Sequence, residues 1–166
     1  AHAQGIITAD PTAGMKRPVK KEAPRERELS PAEITKFWLN VELLPASPGL
    51  RLALKLALAT AQRIGEVTGI AKAELVLDGP APVWIIPRER VKNEESHRVP
   101  LSPLAVSLIR EALALQKPRD GAPESPWVFP ARAKRDKSHG PIETNAAAVA
   151  MFRGRDKLGL DDFRVH

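Results

Sequence analysis

Neither cysteine nor tyrosine occurs among the 166 residues. The first absence excludes disulfides and thiol chemistry and fits a reducing cytosol. The second leaves the chain with no phenol to act as a nucleophile. Metal-binding patterns are missing too: His2, His97, His139 and His166 are widely spaced, with no HExxH pattern and no cysteine cluster beside them. There is no phosphate-binding P-loop, no GxGxxG and no GxSxG elbow. No apolar run approaches the roughly 20 residues that span a bilayer, so no membrane partner is expected. The opening "AHAQGIITADPTAGMKRP" lacks a basic stretch followed by an apolar one and does not read as a secretory signal.

What is present describes a basic globular chain. It is 43% hydrophobic and 28% charged, enough to bury a core, and its length suits one domain with a linker. A net charge of +6 and a pI near 9.9 favour a polyanionic partner. Sixteen prolines punctuate many short elements, without an internal repeat. Residues 1–28, with "DPTAGMKRPVKKEAPRERE", hold few side chains able to pack. They read as a solvated connector or as a strap along DNA.

From residue 29 the pattern becomes helical. Ser30 as cap, Pro31 at the first position and Glu33 three residues after the cap predict a helix from Pro31 to about Leu44. Ser47 and Pro48 repeat the signal and open a nearly continuous aliphatic helix to about Ala61. A short helix is expected from Arg63 to Thr68. Residues 74–78, 83–87 and 97–101 read as three strands of a small antiparallel sheet. Ser102 and Pro103 start another helix, with Leu104, Leu108, Ile109, Ala112 and Leu115 on one face. A long loop with a basic cluster at 132–137 leads to a last helix, Thr144 to Leu158. The fold class is α+β, mostly helical with a small three-stranded antiparallel sheet.

The stretch "LATAQRIGEVTGI", Leu58 to Ile70, places an arginine and a glutamate inside an apolar run. Glu66 lies three residues after Arg63 on the same helical face and can orient the guanidinium. Two readings stay open. One is a buried structural ion pair. The other is an arginine whose stem is buried and whose fork emerges, preorganised for bidentate binding of a phosphate. Lys92, in "RVKNEESHRVPLS", falls at the turn between two strands and by itself reads as an exposed hairpin lysine.

Together, these segments resemble the tyrosine recombinases, the phage-integrase family. "TAQRIGEVTGI" is similar to that family's first arginine box, with Ala61 where glycine is usual; that departure should alter the local backbone slightly. "IPRERVKNEESHRVPLS" resembles the hairpin that follows it, with a lysine in its turn and a V-P-L-S exit into a helix. "LGLDDFRVH" resembles the lead-in to the second box, with His166 as its histidine. The resemblance covers about residues 29 to 166, in the family's order.

The resemblance implies an integrase-like catalytic domain, incomplete at its C-terminus, with residues 1–28 as the end of a core-binding domain and its linker. It implies DNA strand cleavage and rejoining through a 3′-phosphotyrosyl link, with no metal or other cofactor. Arg63 matches the arginine aimed at the non-bridging phosphate oxygens. Lys92 matches the general acid for the 5′-oxygen, Glu66 the supporting acid, and His166 the histidine that binds the phosphate and assists proton transfer. A second arginine, a later His or Trp and the tyrosine would follow His166, so a truncated, cytoplasmic recombinase of bacterial or phage origin is expected. Its partners would be double-stranded DNA and further copies of itself in a tetramer. A non-enzymatic DNA-binding module derived from the same fold is the alternative.

Overall fold

A computed structural model describes residues 14–15, 28–90, 95–116, 124–131 and 140–160. Helix α1 spans Pro31–Asn40 and starts as its capping box requires. The Ser30 hydroxyl accepts from the Glu33 N–H at 3.3 Å, and the Glu33 carboxylate accepts from the Ser30 N–H at 2.9 Å. The α-helix ends four residues before the expected Leu44, because Val41–Leu43 tighten into a 3-10 turn. Leu44 precedes Pro45, whose ring disfavours helical backbone at the residue before it, and Leu44 is accordingly extended at φ −63°, ψ 140°.

Helix α2, Pro48–Thr60, is capped by the Ser47 hydroxyl and buries Leu50, Leu52, Ala53, Leu54 and Leu56. It is the central helix. Its outer side is tied to the 3-10 turn by Lys55, whose ammonium donates to Glu42 at 2.6 Å and holds that carboxyl below its ordinary value. Ala61 ends α2 in the left-handed region, at φ 54° and ψ 24°. The chain then reverses into α3, Ile64–Thr68, whose inner face buries Ile64, Val67 and Thr68.

The sheet follows as expected in number and pairing, with shorter strands. Strands β1 (Leu75–Val76), β2 (Val83–Ile86) and β3 (His97–Pro100) pair antiparallel in the order β1-β2-β3. Trp84 sits opposite Leu75 and Val99, and Ile86 opposite His97. Alternation puts Trp84, Ile86 and Val99 on the core face, all buried.

Helix α4, Pro103–Ala114, is capped by Ser102 and packs across α2. Its buried stripe is Ala105, Leu108, Ile109 and Ala112, narrower than the face read from sequence. Leu104 and Leu115 are about half exposed. Leu104 lies roughly 90° around the helix from the stripe's centre, and Leu115 is the cap that follows the last helical residue.

The expected long loop holds a packed segment. Val128 and Phe129 are fully buried, anchored by the Val128 N–H donating to the Ile70 carbonyl at 2.9 Å and the Lys72 N–H to the Pro126 carbonyl at 2.8 Å. The basic cluster at 132–137 lies outside the described residues. Helix α5, Thr144–Leu158, coincides with the expected one and ends at Gly159 in the left-handed conformation. Its buried face, Ala147, Ala150, Met151, Gly154 and Leu158, closes the core against α1, α2 and α3. Among the described residues no helix is long and apolar enough to cross a membrane.

Candidate functional site

The reversal at Ala61 determines where the arginine goes. Gln62 and Arg63 follow it, and Arg63 is the extended residue that precedes α3, at φ −61°, ψ 140°. Its side chain therefore leaves the bundle, and 74% of it is exposed. The expectation of a buried stem is corrected: Ile64 and Val67 carry the packing, and Arg63 stands clear of it.

Glu66 is the anchored partner, only 15% exposed. Its carboxylate accepts from Arg63 Nη1 at 3.0 Å and from the Arg63 backbone N–H at 3.3 Å. That second bond satisfies one of the donors that a helix start leaves free. Glu66 thus grips both ends of the arginine, main chain and guanidinium. Among the described residues it is the one partner of that guanidinium, so the remaining donors of the fork face solvent. A buried ion pair is excluded. The arrangement can receive an anion at the surface from a cation held in place from below.

Two glycines let neighbouring elements come close to α3. A Cβ at Gly65 would lie 3.1 Å from Thr144 Oγ1, where α5 begins. A Cβ at Gly69 would lie 2.7 Å from Nη2 of Arg90. Arg90 belongs to a 3-10 turn, Arg88–Arg90, that continues β2. Its guanidinium donates through Nη1 to both Glu74 oxygens, at 2.5 and 2.6 Å, and through Nη2 to the Glu66 carbonyl at 2.9 Å. The Trp84 indole donates to the same Glu74 carboxylate at 2.9 Å. Arg90 is 24% exposed and Glu74 10%, so this second ion pair is largely desolvated.

Arg63 and Glu66 are therefore brought together as their spacing implied. Lys92 and His166 lie outside the described residues. Arg90, Glu74 and Trp84 were not singled out in the sequence. The one available signal was Trp84 itself, since an indole buried in a strand needs a hydrogen-bond acceptor.

Comparison with known proteins bears on the family and the fold. The family described as the phage integrase family matches residues 27–166. The chain is 29% identical over 147 residues to the prophage integrase IntA of Escherichia coli (strain K12), a match that covers 86% of this chain and 33% of IntA. It therefore spans about a third of the length of that relative. Among solved structures, a XerH site-specific recombinase bound to palindromic difH substrate in a post-cleavage complex superposes with a TM-score of 0.59 at 19% identity, covering 82% of this chain and 37% of that one. A lambda integrase tetramer bound to a Holliday junction gives 0.57 at 23% identity, covering 99% and 44%. These likenesses place the fold among tyrosine recombinase catalytic domains.

Proposed function

We propose a DNA-directed function for this chain, which belongs to the phage integrase family: it is the N-terminal part of a recombinase catalytic domain that binds a scissile phosphodiester. In this reading residues 29–166 belong to that domain, and residues 1–28 are the end of a core-binding domain and its linker. The observation that carries the reading is Arg63, an exposed guanidinium oriented by a partly buried glutamate in the family's arginine box.

The chemistry to be served is displacement at phosphorus. A tyrosine oxygen attacks, a 3′-phosphotyrosyl bond forms, the bond from phosphorus to the 5′-oxygen breaks, and that oxygen takes a proton. Arg63 would stabilise the charge on the non-bridging oxygens through two parallel donors. Lys92 would give its ammonium proton to the departing 5′-oxygen, and His166 would bind the phosphate and assist proton transfer. Glu66 touches no DNA; it holds Arg63 in position. No cofactor enters this scheme. Double-stranded DNA is the partner, with further copies of the protein on it, as in the DNA-bound lambda integrase tetramer. A cytoplasmic setting suits both.

With no tyrosine among its 166 residues, the chain supplies no nucleophile for this reaction. That favours one second reading, a non-enzymatic DNA-binding module. Covalent adduct formation on a nicked suicide duplex separates the two. The full-length protein carrying this sequence should form the adduct, while this chain alone should only bind. Arg63→Lys in the full-length protein should keep DNA binding and lose most of the adduct. Binding without any adduct from the full-length protein would establish the module instead, and normal adduct formation by Arg63→Lys would remove Arg63 from its role.

A further inference from the structure

The Arg90 bracket is more than a local ion pair, because of what it connects. Arg90 ends the turn that extends β2, two residues along the chain from Lys92. Through Nη2 it holds the carbonyl of Glu66, and the side chain of Glu66 holds Arg63. Helix α3 is five residues long, so the Glu66 carbonyl belongs to its last turn, where carbonyls lack intrahelical donors. Arg90 supplies that donor from another element. One residue, Glu66, is thus fixed to Arg63 by its carboxylate and to the hairpin stem by its main chain.

The other side of the bracket is equally specific. Glu74 receives Nη1 of Arg90 on both oxygens and the Trp84 indole on Oε2. Trp84 is fully buried in β2, so Glu74 ties the guanidinium to the strand that carries the turn. Gly69 completes the seat: any side chain there would run into Nη2 of Arg90. A lysine could keep one of these contacts. It could not span Glu74 and the Glu66 carbonyl at once, because that takes two divergent donors on a planar fork.

We propose that Arg90 is a positioning residue for strand cleavage, registering the stem of the β2–β3 hairpin against the helix that orients Arg63. This rests on the reading given above, in which Lys92 is the general acid and Arg63 binds the phosphate. Arg90 touches no DNA. It ties the end of the turn that continues β2, from which the chain runs on to Lys92, to the helix that orients Arg63, and proton transfer is sensitive to how its partners are placed.

The test uses the leaving group. In the full-length protein, adduct formation is timed on a suicide duplex with its normal 5′-bridging oxygen and on one with sulfur in that position. Sulfur departs as a thiolate and needs no proton, so a defect confined to acid delivery disappears on the second substrate. Arg90→Lys should slow adduct formation at least about tenfold on oxygen and return to within about threefold of the parent protein on sulfur. Gly69→Ala leaves every polar group in place while displacing the Arg90 fork, and it should behave alike. Lys92→Ala is the reference and should be rescued by sulfur, whereas Arg63→Ala should not.

A loss of folded protein lowers both rates equally, so equal defects on the two substrates would overturn the proposal. Unimpaired cleavage by Arg90→Lys and Gly69→Ala on oxygen would overturn it as well. If Lys92→Ala is rescued and Arg90→Lys is not, the positioning role fails while the general acid stands. If Lys92→Ala is not rescued, the assignment of the acid fails, and the registering role falls with it.

Discussion

Arg63→Ala should hardly weaken the fold, although Arg63 heads the most diagnostic stretch of the chain. With three quarters of its side chain in water, its pair with Glu66 is worth at most the ~0.2–1 kcal/mol of exposed pairs. Glu66→Ala should cost more, about 1–2 kcal/mol, because it also deprives the Arg63 N–H of its acceptor at the start of α3. Urea unfolding of the two variants measures the difference; a loss of about 3–5 kcal/mol on Arg63→Ala would mean a buried pair after all. Two residues earlier, Ala61 holds φ 54°, where a Cβ crowds the neighbouring carbonyl. The alanine thus keeps the left-handed bend that glycine adopts freely. Ala61→Gly should therefore stabilise the protein by about 1 kcal/mol, read as a raised urea midpoint at unchanged slope. No gain would mean that the bend carries no strain.

At the scale of elements, the contact between α5 and the turn after α1 offers a sharper test. A Cβ on Gly154 would lie 2.9 Å from Pro45 Cδ and would collide with Leu44 Cδ2. Leu44 is fully buried and Pro45 is fixed by its ring, so neither yields cheaply. Gly154→Ala gains about 1 kcal/mol of helix propensity, yet overpacking of about 1–3 kcal/mol should outweigh it. A melting temperature lower by about 2–4 °C is expected, and a higher one would show that α5 can shift outward. Such elements were largely legible in the sequence. Ser47-Pro48 and Ser102-Pro103 announced α2 and α4 because caps act locally, and the three strands showed through their β-branched and aromatic residues. The break at Asn40 was less visible, since it depends on Pro45 acting through Leu44. The segment around Val128 and Phe129 escaped notice because its burial comes from pairing with Ile70 and Lys72, more than fifty residues earlier. The same reason hid the Arg90 bracket: Arg63 and Glu66 are three residues apart, whereas Arg90 meets Glu66 and Glu74 at 24 and 16 residues, distances no motif encodes.

For the whole molecule, charge and fold point to the same surface chemistry. Twenty-six basic against 20 acidic residues leave a surplus of six positive charges. Several acidic groups are already committed within the protein: Glu74 to Arg90, Glu66 to Arg63 and Glu42 to Lys55. The Arg63 fork, by contrast, keeps donors turned to solvent. DNA binding by this chain should then be electrostatic and nearly indifferent to sequence, because phosphate contacts position a protein without reading bases. Each phosphate neutralised releases counterions and adds about −0.9 to the slope of log K against log salt. Two or more such contacts would weaken binding by at least about tenfold between 50 and 200 mM salt. Fluorescence anisotropy with a labelled duplex at four salt concentrations gives the slope directly. Arg63→Gln should make it shallower by about one unit if the arginine meets a phosphate. An exposed exchange that alters nothing near α3, such as Lys36→Gln, gives the comparison, since it removes the same charge from α1. Equal slopes for the two variants would show that Arg63 contributes only to the general field of the molecule. A shallower slope for Arg63→Gln alone would identify it as the contact.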